Sequence, residues 1–274
     1  PGTSQQTIET LKVMRLLYLT TFNEALYHKT GERLIKSFLT KVNVGDLLVC
    51  HENMPFQSES RRVKSFDMSD SVFLETWLQD NSHNIPELYG GAAKNDDARF
   101  VLDRTKGQSW ARFRASRYFR KVAALDFFLE HYSDDYDFLI LVDSDCVFQK
   151  DIPEILLNSL FEDADMFFFW SQHRKNINRG PETGFTGYSR NGYSFIRNLC
   201  QCYGTGAFLQ YEYWDDGFVI GKLIEKGGFR FKDLVEDTHY RTTRVMEIPD
   251  NPLYGIVHHF KNSHATPEEL VWLD

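Results

Sequence analysis

The chain has 274 residues, 42% hydrophobic and 15% aromatic, which is material for one large α/β domain or at most two small ones. Its 39 acidic against 31 basic residues leave a formal charge of −8, which argues against a nucleic acid or an anionic membrane surface as the main partner. No run reaches the ~20 apolar residues of a membrane span, no signal-peptide pattern is present, and no Asn-x-Ser/Thr sequon occurs. The expectation is a soluble, cytoplasmic protein, with the lumenal part of a membrane-anchored enzyme as the alternative.

In chain order, residues 1–10 are polar and read as a disordered lead-in, and 11–274 read as one domain. Val13 to Leu19 is a first buried strand ending in Thr20-Thr21-Phe22-Asn23. Thr20, Thr21 and Asn23 suit recognition of a nucleotide base or ribose at a strand end, and equally suit capping of the next helix. Leu26 to Val42 follows a helical period, and Gly45 turns into a second strand from Asp46 to His51. Residues 52–110 are polar and turn-rich, with Gly90-Gly91 and a helical patch from Val72 to Leu78. They read as a variable insert or flap near an acceptor.

Arg112, Arg114, Arg117, Arg120 and Lys121 crowd the start of an amphipathic helix that runs into Val122-Ala-Ala-Leu-Asp-Phe-Phe-Leu. A solvated helix face is the ordinary reading of such a run. In so acidic a chain, Arg117 and Lys121, sharing a face at i, i+4, are instead expected to reach a sugar diphosphate. Further on, a helix is expected up to Leu160 and a strand from Asp165 to Trp170. The Gly-rich passage from Gly180 to Gly187 lacks the spacing of a phosphate loop and reads as a tight loop entering a short strand. Helices follow at Gly192 to Cys202 and Phe218 to Lys226, the second stopped by Gly227-Gly228. Cys50, Cys146, Cys200 and Cys202 have neither zinc nor disulfide spacing and read as core thiols.

The centre of the chain is Asp137-Phe-Leu-Ile-Leu-Val-Asp143-Ser144-Asp145-Cys-Val-Phe148. Five consecutive apolar residues read as a strand buried on both faces, and it delivers two carboxylates at its end. Ligands of open α/β sheets gather at the carboxyl ends of strands. Two acids held side by side there are costly unless a cation shares them, and oxygen ligands suit Mg²⁺ or Mn²⁺ with phosphate. A polar turn after a core strand is the plainer reading.

Two further sites sit at element ends: Asp215-Asp216 and His258-His259. Placed in one cleft, Asp145 would hold a metal directly, and Asp143, beside Ser144, would reach it through water or hold the ribose. One histidine would add a nitrogen, and Asp215 or Asp216 would deprotonate an acceptor hydroxyl. That set describes glycosyl transfer from a nucleotide diphosphate.

Four stretches then carry a family resemblance: Phe138–Phe148, Gly184-Phe-Thr-Gly-Tyr-Ser-Arg190, Trp214-Asp-Asp-Gly-Phe-Val-Ile-Gly221 and Val257-His-His-Phe260. Together they resemble the GT-A glycosyltransferases, nearest the inverting fringe and β-1,3-glycosyltransferase group. The resemblance implies a single αβα domain with a Rossmann-like mixed sheet. Its donor part would cover about 11–150 and its acceptor part about 151–274. It also implies Mn²⁺ (or Mg²⁺), a UDP-sugar donor (UDP-xylose, UDP-GlcNAc or UDP-galactose), a glycan acceptor and inversion. It favours Asp216 as base and His259 as ligand; a C-terminal His followed by Lys, which would put Lys261 on the diphosphate, also occurs in retaining families of the fold. Three other readings compete: a retaining enzyme of the same fold, a nucleotidyltransferase, and a non-catalytic carbohydrate-binding module.

Overall fold

An apolar run such as Phe138 to Val142 is a stable strand only if both its faces are covered, and that requirement is met by a three-layer arrangement. The computed structural model describes residues 14–85, 115–236 and 245–260. Within them the strands are β1 (Leu16–Asn23), β2 (Asp46–Glu52), β3 (Val63–Asp67), β4 (Phe138–Val142), β5 (Cys146–Phe148), β6 (Met166–Phe169), β7 (Glu182–Ser189), β8 (Phe231–Asp233) and β9 (Val257–His259). The helices that concern the site are α1 (Glu32–Lys41), α2 (Val72–Asp80), α3 (Ala115–His131), α4 (Glu154–Phe161), α5 (Gln172–Asn176), α6 (Tyr193–Gly204) and α7 (Asp216–Glu225).

Seven strands form a central sheet in the order β3-β2-β1-β4-β7-β6-β8. The β3-β2-β1-β4 half is parallel, β7 runs antiparallel to both β4 and β6, and β8 is parallel to β6. The sheet is therefore mixed, as the sequence leads one to expect.

Alternation along the strands divides the core in two. Leu17, Leu19, Leu139 and Leu141 pack with Trp77, Phe119, Leu199 and Ile220 of α2, α3, α6 and α7. Tyr18, Leu47, Ile140 and Val142 turn to the other face, against Leu34 and Phe38 of α1 and Leu157 and Leu160 of α4. All four cysteines are free and buried. No helix among the described residues is long and apolar enough to cross a membrane.

Three local expectations change. The first strand runs on to Asn23, so Thr20 and Thr21 lie inside it rather than beyond its end. The segment after it opens with a π-type turn, Tyr27–Gly31, before α1 begins. The Gly-rich passage is loop only at Gly180-Pro181; from Glu182 it is β7, an eight-residue central strand rather than a short one. Its glycines serve close approach rather than turning. A Cβ on Gly187 would sit 2.0 Å from Phe167 Cε1, and one on Gly184 would sit 2.3 Å from His259 Cε1. Residues 1–10, Gly90-Gly91, Arg112, Arg114 and Lys261 lie outside the described residues.

Candidate functional site

β4 ends at Val142, and the next three residues cross the carboxyl edge of the parallel strands before β5 begins. The Asp143 N–H donates to Gly184 O at 2.8 Å and the Cys146 N–H donates to Asp143 O at 2.9 Å. These two bonds pin the turn and aim both carboxylates the same way. Ser144 points elsewhere: it is buried, with Thr30 Oγ1 3.3 Å from its hydroxyl oxygen.

A histidine joins them from the far end of the chain. β9 pairs antiparallel with β5, setting His259 opposite Cys146 and His258 opposite Val147. Neighbouring strand residues face opposite sides, so only one of the two can enter the site. His259 does: it is 5% exposed, with Nε2 3.0 Å from Asp145 Oδ1 and 3.8 Å from Asp143 Oδ2. His258 turns away, 3.6 Å from Glu247. The imidazole lies directly over Gly184, and this is why that position carries no side chain.

The α7 acids reach the same edge. Asp215 caps the helix, its Oδ1 accepting from the Phe218 N–H at 3.1 Å, while its buried Oδ2 has no hydrogen-bond partner. Asp216 opens the helix and is 4% exposed. Its Oδ1 accepts from the Gly217 N–H at 3.0 Å and its Oδ2 pairs with Lys121 Nζ at 3.2 Å. Lys121 also lies 2.6 Å from Asp143 Oδ1, so one ammonium ties the β4 acids to the α7 acids.

Burial sets the electrostatics. It pushes the Asp143 carboxyl above its ordinary pKa, and the like charge of Asp145 adds to this against the pull of Lys121 and His259. Asp215 is likewise pushed up by burial and by the charge of Asp216. Burial opposes charge on Lys121, yet Asp143 and Asp216 outweigh it and hold the ammonium well above its usual value. For His259 too burial opposes charging, but the hydrogen bond to Asp145 and the charges of Glu182, Asp145 and Asp143 raise its pKa.

Asp145, Cys146 and His259 offer donor atoms within 4.8 Å of one another. Burial drives the Cys146 thiol well above its ordinary pKa, and its S–H donates to Gly184 O at 3.3 Å. The usable donor set is therefore carboxylate oxygen plus imidazole nitrogen. That set fits Mn²⁺ or Mg²⁺ and not a thiolate-bound zinc.

Of the other residues singled out from sequence, Arg117 is exposed on α3. Thr20 is fully buried inside β1 with its Oγ unpartnered, and Thr21 is half-buried. Asn23 takes the capping role, accepting from the Leu26 N–H at 3.0 Å.

Two groups escaped the sequence reading. Beyond the carboxyl ends of β1 and β2, Phe56 has Phe22, Tyr27 and His51 ring centroids within 5.6–6.0 Å. His51 is 5% exposed and its Nδ1 has no hydrogen-bond partner. Within β7, Glu182 is a buried acid paired with Arg174. An acid opening an apolar, Gly-rich run was the signal available for it.

No protein-family model matches the chain, and no curated protein matches it. Among solved structures it is similar to apo mouse xyloside xylosyltransferase 1, with 12% identity and TM-score 0.45 over 81% of this chain and 84% of that one. It is similar to the apo WbbM bifunctional glycosyltransferase, with 15% identity and TM-score 0.46 over 82% of this chain and 39% of that one. Apo GlyE of Streptococcus pneumoniae TIGR4 gives 13% identity and TM-score 0.39 over 80% and 45%. The chain thus spans under half the length of the last two. Likeness at this level leaves the chemistry to the side chains.

Proposed function

We propose that the chain is a metal-dependent glycosyltransferase of the GT-A type, moving a sugar from a UDP-sugar to a hydroxyl of a glycan acceptor. The observation that carries this reading is the convergence of Asp143, Asp145 and His259 at the carboxyl edge of the sheet, with Asp216 joined to them through Lys121. Asp145 and His259 would hold Mn²⁺ or Mg²⁺, with Asp143 beside them. When bound, the cation supplies a Lewis acid that offsets charge developing on the departing diphosphate.

The chain's own groups do the rest. In the Phe22–Tyr27–Phe56–His51 cluster, the half-buried Tyr27 and Phe56 offer aromatic faces for the nucleobase, backed by the buried Phe22 and His51. In the inverting reading, an acceptor oxygen attacks the anomeric carbon as the bond to the diphosphate oxygen breaks. The hydroxyl proton passes to an α7 carboxylate acting as general base. Asp216 is tied to the metal ligands through Lys121, and Asp215 has a raised pKa; each has one carboxylate oxygen without a hydrogen bond.

One observation supports a second reading. Asp216 is held by the Lys121 ammonium on one oxygen and the Gly217 N–H on the other, the first through charge without a hydrogen bond, which suits holding a donor sugar in a retaining reaction as well as taking a proton. NMR of the product's anomeric configuration separates the two.

The test of the whole proposal is calorimetric titration of UDP with and without Mn²⁺ into wild type and Asp145→Ala. Metal-dependent binding that the variant loses supports it. Absence of UDP binding under either condition sinks it.

A further inference from the structure

His259 has two ring nitrogens, and they face different acids. Nε2 looks to Asp145 and Asp143, while Nδ1 is turned toward Glu182 Oε1 at 4.0 Å. Glu182 begins β7 and is 8% exposed, an expensive place for a carboxylate without a partner. Its Oε2 lies 3.3 Å from Arg174 Nη1. Arg174 is locked in turn, donating through Nε to Gly180 O at 2.8 Å and through Nη2 to Pro181 O at 3.3 Å.

The result is a half-buried to buried line of alternating charge, Arg174–Glu182–His259–Asp145, ending at the donor set. Gly184 holds the imidazole from below, since any Cβ there would strike it. Packing over a glycine fixes the plane of a ring but not which nitrogen carries the proton. A carboxylate facing one edge biases it, here by its charge across 4.0 Å rather than through a direct hydrogen bond.

We propose that Glu182, held by Arg174, is a positioning residue for the metal site. Where a cation replaces the proton that Nε2 gives to Asp145 at 3.0 Å, Glu182 favours keeping the remaining His259 proton on Nδ1, so that the Nε2 lone pair is presented toward the cation shared with Asp145. The inference rests on the metal reading above. Glu182 is not itself a ligand here, because it sits on the Nδ1 edge of the ring and its other oxygen belongs to Arg174.

Mn²⁺ is titrated calorimetrically into the full chain as wild type, Glu182→Gln, Arg174→Lys and Asp145→Ala. ¹⁵N NMR of the histidine ring nitrogens in Mg²⁺-loaded protein provides a second readout that a merely structural role would not move. The expected result is Mn²⁺ binding weakened about 10–100-fold in E182Q. Its His259 signals should show a mixture of protonated nitrogens where wild type shows protonation at Nδ1. R174K, which keeps the charge but loses the fork, should weaken binding in the same direction. Wild-type affinity and a wild-type nitrogen pattern in E182Q, or in R174K if E182Q does not fold, overturn the inference and leave the metal site standing. Wild type that binds Mn²⁺ no better than Asp145→Ala overturns the metal reading and the inference together.

Discussion

Gly184→Ala isolates the seat of the imidazole. The added Cβ would lie 2.3 Å from His259 Cε1, 2.6 Å from Nδ1 and 3.0 Å from Nε2. These are ring atoms of a side chain only 5% exposed, so they have no flexible end to swing aside. Restoring ordinary contact moves the ring by about 1 Å, and the 3.0 Å contact to Asp145 opens with it. Overpacking of this kind costs about 1–3 kcal/mol, and a charge-assisted hydrogen bond is worth about 1.5–3 kcal/mol. Alanine's reduced freedom in the unfolded chain returns about 0.4–1 kcal/mol.

The expected net loss is about 2–5 kcal/mol, read by urea unfolding, with Mn²⁺ binding at least about tenfold weaker by calorimetry. Adding His259→Ala to Gly184→Ala removes the object of the clash, so the double variant should recover part of the loss in a mutant cycle. Wild-type stability in Gly184→Ala, or strictly additive losses in the double variant, would refute the reasoning.

Lys121→Met should be among the more damaging single changes, because it leaves Asp143 and Asp216 buried without their shared cation. Loss of one partner of a buried pair costs about 3–5 kcal/mol, and a loss under about 1 kcal/mol by urea unfolding would contradict the clamp. Asp216→Asn should spare UDP binding while lowering kcat strongly; a larger kcat effect from Asp215→Asn would move the base assignment to Asp215. Asp126 supplies a pH signature: burial, with help from Glu130, raises its carboxyl to about 6. The folded state then holds this proton more tightly than the unfolded state, whose aspartate titrates near ~3.9. The charge therefore costs stability above about pH 6, and the cost disappears as pH falls toward about 4. Asp126→Asn should add about 1 kcal/mol of stability at pH 7.5 after discounting for a half-buried group, read as a raised Tm, and the gain should vanish near pH 4. A pH-independent difference in the Tm series would show that the carboxylate is not the cause.

The sequence made the central strand legible because the signal is local. Phe138 to Val142 is too apolar to face water on either side, and the acids that end it follow directly in the chain. The same holds for α3 and α7, whose periodicity and stop signals lie within a few turns, with Gly227 and Gly228 ending α7 at positive φ. The Gly-rich passage misled because glycine has two uses. It permits a turn, and it permits close approach, and only the neighbour tells them apart. For Gly187 that neighbour is Phe167, on an adjoining strand.

By itself, then, the sequence determined an α/β chain with a strand that ends in Asp143 and Asp145, because burial and turn chemistry are written in neighbouring residues. Only the tertiary structure decided which histidine meets those acids, since this depends on the β5–β9 register and the alternation of side chains along a strand. It alone decided that Lys121 bridges Asp143 and Asp216, a contact between two helices and a strand end that no spacing encodes. It alone set Glu182 behind His259, because β7 enters the sheet beside β4, and that pairing is fixed by the whole core rather than by any one segment.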